Sequence, residues 1–221
     1  MSTFLEIVND VLVRLREDEV TTISESTYAK LVGKFVNDTK REVEDSWNWS
    51  PLRTRVTVTT VAGTTNYSLT GTTRRSRIIE GYNVTQNAQL SRLSDKVYNA
   101  WTLTTTVTSS NVEYYRVRGF TSAGLLKIDV YPTPSGVETL TFDVVVPQAE
   151  FSVSGTDDAT EVTLEPTVIV YGTWSKAISE RGEDGGALFD EVQGMYRRAM
   201  ADAISYDVAQ HQEGETDWYA N

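Results

Sequence analysis

Val43-Glu44-Asp45-Ser46-Trp47-Asn48-Trp49-Ser50-Pro51-Leu52-Arg53-Thr54-Arg55-Val56-Thr57-Val58-Thr59-Thr60 is where the chain changes its hydrophobic period. Before Pro51, apolar residues recur at helical spacing. After it, Val56, Val58 and Thr60 alternate with Arg55, Thr57 and Thr59, the period of a strand with one face covered. Proline disfavours helix at the residue before it, so the helix ends here.

Reading back from this point, a helix over about 26–49 carries Tyr28, Leu31, Val32, Phe35, Val36, Val43 and Trp47 on one side. A shorter helix over about 3–16 precedes it. Thr3 and Glu6 give it a capping box, and Phe4, Ile7, Val8, Val11, Leu12 and Leu15 give it an apolar face.

Reading forward, Gly63 marks a turn, and Tyr67-Ser68-Leu69 is expected to return as the hairpin partner of the first strand. Further strands are expected near 76–85, 112–118, 125–131 and 138–146, with turns at Gly119–Gly124 and Tyr131-Pro132-Thr133-Pro134-Ser135-Gly136. A short helix over about 94–101 interrupts them, with Ser94 as cap and Val97 and Trp101 inward. From Pro166 the helical period returns. One helix runs to about Arg181 and another from about Ala187 to Ala209, the latter with Leu188, Val192, Met195, Tyr196, Met200, Ala203 and Ile204 on one face.

The expected fold class is therefore α+β. The N- and C-terminal helix pairs form a four-helix bundle, and an antiparallel β-sandwich or barrel lobe is inserted between them. The expected parts are 1–51 (bundle, first half), 52–160 (inserted β lobe), 161–208 (bundle, second half) and 209–221 (a polar docking tail).

Charge is unevenly placed within the net −11. Residues 1–50 carry 6 basic and 10 acidic side chains, residues 51–150 carry 10 and 7, and residues 151–221 carry 4 and 14. Acidic helices repel a phosphate backbone, which argues against tight nucleic-acid binding by the whole chain and leaves transient passage of DNA open. The chain has no cysteine, so disulfide and thiolate chemistry are excluded. No stretch is apolar enough for a membrane span, and the start lacks a basic signal-peptide region, so an intracellular product is expected.

Catalytic motifs are not found. His211 is the only histidine and has no partner at a recognisable spacing. Glu80, Glu113, Asp129 and Asp143 are the strand acids considered, and no motif selects two of them as an acid/base pair. No phosphate-binding loop is present. The turn Arg181-Gly182-Glu183-Asp184-Gly185-Gly186 reads better as a helix–helix break, its acids facing the next helix's N-terminus, than as a cation site. No cofactor and no metal are expected.

Two clusters are candidates for contact. Arg74, Arg75 and Arg77 form the densest basic run, suited to DNA phosphate or to an acidic neighbouring subunit. Trp218 and Tyr219 are aromatic anchors on a tail too polar to fold alone, as in segments that order on docking. Trp47, Trp49, Trp101 and Trp174 read as packing residues.

The stretch 35–49, the stretch 174–186, and Tyr196 with 202–207 together resemble the head-to-tail adaptor proteins of short-tailed bacteriophages, the tail tubular protein A group. The β region resembles them in position and in its Tyr131-Pro132-Thr133-Pro134 turn. The resemblance implies a non-enzymatic virion protein in the tail or neck, assembled in the host cytoplasm. It implies a homo-oligomeric ring, a dodecamer, joining the portal protein to the tail nozzle protein around the DNA exit channel, with tail fibres as a further candidate partner. The alternative reading is a β-sandwich module that binds carbohydrate or protein, carried on a helical oligomerisation stalk.

Overall fold

The computed structural model describes residues 2–104, 107–182 and 186–210. The protein is α+β, with five helices and a nearly closed, mostly antiparallel sheet. The chain divides into two compact units: Met1–Pro51 with Gln148–Asn221, and Leu52–Pro147.

In the first unit, α1 (Phe4–Arg14) begins at a complete capping box. Glu6 N donates to Thr3 Oγ1 at 3.2 Å, and Thr3 N donates to Glu6 Oε2 at 2.9 Å. Its face of Phe4, Ile7, Val8, Val11 and Leu12 is buried. Helix α2 (Thr27–Ser46) is capped by Ser26, which accepts from Ala29 N at 2.9 Å. It stops before the two tryptophans that the sequence placed inside it. The Trp49 indole turns back and donates to Val43 O at 2.6 Å, satisfying one of the carbonyls a helix end leaves open.

Helix α4 (Pro166–Glu180) packs against α1, α2 and α5 (Ala187–Gln210). Gly172 permits this. A Cβ there would lie 2.5 Å from Thr39 Cγ2 on α2 and 2.8 Å from Tyr196 Cε2 on α5, closer than atoms can sit.

One face of α2 is polar and buried. Asn37 accepts from Phe151 N and donates to Phe151 O, both at 2.9 Å, matching donor and acceptor as a neighbouring strand would. Lys40 Nζ donates to the carbonyls of Gln148 at 2.9 Å and Ala149 at 2.8 Å, and Glu44 Oε1 accepts from Gln148 N at 3.0 Å. Lys40 and Glu44 also face each other at 3.4 Å, both essentially without solvent exposure. These side chains fasten the chain where it re-enters the helical unit.

In the second unit, the sheet order is β1 (Arg53–Thr59), β9 (Thr139–Val145), β3 (Arg77–Asn83), β4 (Ala88–Arg92), β6 (Tyr114–Phe120), β7 (Leu126–Tyr131) and β2 (Asn66–Leu69). The end strands β1 and β2 come into contact, which nearly closes the sheet. Two short strands, β5 (Thr108–Ser109) and β8 (Thr133–Pro134), pair separately.

The expected β1–β2 hairpin does not form. β1 pairs with β9 from Arg53↔Val145 to Thr59↔Thr139, and β2 pairs with β7. Alternation fixes which face of a strand is buried but not which strand lies beside it. The sheet is also not wholly antiparallel, because β4 runs parallel to β6. Helix α3 (Asp95–Thr104) lies in the crossover between them, the long connection that a parallel pair needs.

The core follows the two-residue period. On β9, Leu140, Phe142 and Val144 are fully buried, packed with Val56, Leu69, Leu90, Tyr115, Leu126, Ile128 and Val130. Gly81 gives Phe142 its space, since a Cβ there would sit 2.8 Å from Phe142 Cε1. On α3 the buried residue is Tyr98, while Val97 and Trp101 are over a third exposed, so the helix is rotated from the orientation its sequence suggested. Tyr98 and Trp101 join Tyr114 and Tyr131 in an aromatic cluster, and the Arg116 guanidinium lies 3.9 Å from the Tyr98 ring centre.

Candidate interaction surface

Helix α5 has 24 residues, of which only Val192 and Asp207 are buried. Of the apolar face read from the sequence, Met195, Tyr196, Met200, Ala203 and Ile204 are half-buried and Leu188 is exposed. Beside them, Tyr206 is 67% exposed. The face exists, and the described residues cover only part of it.

What it leaves open is a groove of about 1240 Å³ within the helical unit. Met195, Ala199, Ala203 and Tyr206 form one wall, and Val168 and Tyr171 of α4 form another, with Trp49, Pro51 and Leu164 completing the apolar lining. Its charged residues are Glu165, Asp202, Asp207 and a single Arg198, so the groove is apolar with an acidic balance.

Asp207 fixes one end of the groove. Its Oδ2 accepts from Trp47 Nε1 at 3.0 Å, and its Oδ1 accepts from Ser50 N at 3.2 Å. A single buried carboxylate thus ties the last turn of α5 to the corner where α2 ends.

The remaining candidate residues lie apart from this groove. Arg181 closes α4: its Nε donates to Tyr28 Oη at 2.8 Å, and its Nη2 meets Glu17 Oε1 at 2.5 Å. Its role is to hold the end of α4 to the α1–α2 connection. Gly182 follows with φ +78°, the left-handed conformation that ends many helices. Gly186 begins the approach to α5, and its carbonyl accepts from Asp190 N at 3.3 Å. Glu183, Asp184 and Gly185 lie outside the described residues, as do His211, Trp218 and Tyr219.

Of the basic run, Arg74 is exposed, whereas Arg75 and Arg77 are half-buried, with Arg77 opening β3. Thr73 and Ser76 form the tight turn that separates them, Thr73 N donating to Ser76 Oγ at 2.7 Å. Of the three arginines, only Arg74 is exposed, and its side chain runs beside Gly124. Among the described residues, no cluster of His, Cys, Asp or Glu could hold a metal ion, and no helix is long and apolar enough to cross a membrane.

Sequence reasoning missed the buried polar residues of α2. Their signal was present: Lys40 and Glu44 continue the inward positions Val32 and Val36 at steps of four, which puts two charges on the apolar side. It also missed Asp207, which holds the corner, because an acid in a polar stretch gives no sign of an indole partner 160 residues away.

No curated protein matches the chain. The family model described as SU10 adaptor protein matches residues 2–219, both helical ends and the whole β region together. The chain belongs to the SU10 adaptor protein family, a family of phage structural adaptors.

Proposed function

We propose that the protein is a non-enzymatic head-to-tail connector whose copies form a ring, a dodecamer, between the portal and the tail nozzle, lining the channel through which DNA leaves. The observation that carries this reading is the unfinished burial of α5. A helix of 24 residues with two buried side chains and an adjoining apolar groove gains its missing contacts from another chain.

In this reading the helical parts 1–51 and 148–208 pack against neighbouring copies and the portal, and the β lobe 52–147 points to the nozzle. The tail 209–221 carries Trp218 and Tyr219 into the portal. The exposed Arg74, with Arg75 and Arg77 behind it, meets either an acidic neighbour or passing phosphate. The run 181–186 joins α4 to α5. The acidic balance of the helical parts, with 10 acids against 6 bases in residues 1–50 and 14 against 4 in residues 151–221, supports a channel wall that DNA passes without sticking.

Light scattering on the full chain, alone and mixed with portal rings, tests the proposal. A closed assembly of about twelve copies, formed alone or on the portal, is the expected result. A monomer that stays monomeric beside portal rings would overturn it.

A further inference from the structure

Three neighbouring strands of the β unit run from a charged end to an uncharged one. At the first end, β1 starts at Arg53 and β3 at Arg77, both opposite Val145 of β9. Past Thr59↔Thr139, the other end presents Val61, 58% exposed, Val84, 51% exposed, and Val137, 72% exposed. Thr60 N donates to Glu138 O and Val84 N to Thr139 O, each at 2.8 Å, so the three valines lie together at the ends of adjacent strands.

The loops around them are tied into one surface. Gly63 N donates to Pro134 O at 2.9 Å, Thr133 N to Val107 O at 2.9 Å, Ser135 N to Ser109 O at 2.8 Å, and Gln86 Nε2 to Ser110 O at 2.8 Å. Residues 59–65, 83–88, 107–112 and 132–137 contain no Asp, Glu, Lys or Arg, in a chain of which 23% is charged. Glu138, next to Val137, is 3% exposed and turns its carboxylate inward, accepting from Val112 N at 3.2 Å and from Asn83 Nδ2. Charge returns only at the border, where Arg118 meets Asn66 and Glu113 accepts from Asn111 Nδ2 at 3.1 Å.

This composition restricts what the end can bind. Without Lys or Arg in these loops, nothing neutralises phosphate, so nucleic acid is a poor partner. A charged protein surface would lose hydration against them and gain no countercharge. A bilayer is a poor match too, since the loops carry no Trp, Phe, Lys or Arg to anchor them at its surface. What fits is a protein surface that is itself uncharged and apolar, because a charge-poor centre inside a polar rim is the anatomy of a protein interface. The hydrogen bonds among the loops set that surface in advance, which lowers the cost of ordering it on binding.

We propose that this charge-free end docks an uncharged, apolar surface of the nozzle protein. The inference rests on the connector reading and deepens it. A closed ring joins unlike patches of successive copies, so this end does not meet itself, and every copy offers it to the component that adjoins the ring.

The test uses the full chain assembled on portal rings, with the nozzle protein as probe. Val61→Lys with Val137→Lys should leave assembly intact and the melting temperature within about 3 °C of the parent, since both positions are exposed. The pair should weaken nozzle binding by about tenfold or more. Val61→Asp with Val137→Asp should weaken it as much, because a charge of either sign is buried without a partner. Binding of the parent should change by less than about threefold between roughly 0.1 and 0.5 M salt. A parent that never assembles on the portal overturns the connector reading and this inference with it. An assembled parent overturns this inference alone if it does not bind the nozzle, if both variant pairs bind as the parent does, if the lysine and aspartate pairs act in opposite directions, or if high salt abolishes binding. Pairing of the chain end to end, or binding to phosphatidylcholine vesicles, that the lysine pair abolishes while nozzle binding stays unchanged would overturn it as well.

Discussion

Strand β9 and helix α5 show how differently the two units satisfy their apolar side chains. On β9, Leu140, Phe142 and Val144 are all fully buried within the unit's own sheet. On α5, Val192 is the single fully buried apolar residue in 24 positions, and Tyr206 is 67% exposed. The β unit closes a core by bringing its end strands together, although its surface still exposes Val61, Val84, Phe120 and Val137. The helical unit leaves part of the apolar face of α5 uncovered by the described residues, and in the connector reading proposed above a share of its stability appears on assembly.

The comparison breaks most readily at Phe142. Replacing it with alanine should cost about 3–5 kcal/mol, read as a drop in denaturation midpoint, because the ring fills the center of a core with no alternative packing. If the β unit tolerated that change, its closure would not be the source of its stability.

The buried polar face of α2 is the next test, and it sharpens the contrast from the helical side. Lys40→Met leaves Glu44 buried without its cation and should destabilise the chain by about 3–5 kcal/mol. The double change Lys40→Met with Glu44→Leu should recover much of that loss, because it removes both charges together. A double variant no more stable than the single one would show that the contacts to Gln148 and Ala149, rather than the charge balance, hold the re-entering chain.

On the groove face of α5, Tyr206→Ser should shift monomer stability by no more than about 1 kcal/mol, since that side chain is 67% exposed. The same change should prevent a closed assembly in light scattering. An equal loss of both would mean that the groove is part of the monomer's own core.

The smallest effect is expected at Asp143 on the outer face of the sheet. Arg55 donates to it at 2.8 and 3.1 Å, and this hydrogen bonding, with the nearby positive charge, holds its carboxyl below the usual carboxylate range against the opposing effect of burial. A depressed folded value means the contribution is present above the unfolded carboxylate range and is lost as pH falls through the folded value. Asp143→Asn should therefore melt slightly below the parent near neutrality, and the gap should close below about pH 4. A gap that persists in acid would show that the packing of this side chain matters and its charge does not.

Much of the secondary structure was legible because single-element signals are local. The Thr3–Glu6 box placed α1, and the returning helical period placed α4 and α5 to within a few residues of where they lie. Strand partners were not legible. The Val56–Val58 alternation fits β1 whether it pairs with β2 or β9, and the choice falls to long-range contacts such as Thr60 N donating to Glu138 O at 2.8 Å. β4 went unread because Ala88–Arg92 carries one buried apolar residue, Leu90, too little for a period.

The interaction surface was legible in one respect and hidden in another. The sequence supplied the apolar face of α5, but periodicity reports only that a face is apolar, not whether the same chain covers it. The rotation of α3 was hidden for a related reason. Val97, Tyr98 and Trp101 offer two competing faces, and the Arg116–Tyr98 contact selects between them from outside the helix.

Hydrogen exchange across α5, measured on the free chain and again with portal rings, tests the central claim most directly. If α5 gains its missing contacts on assembly, amides from Met195 to Tyr206 should slow by at least about tenfold with the portal present, while those of β9, already in a closed sheet, should change little. Unchanged exchange along α5, with new protection confined to the β unit, would contradict the account.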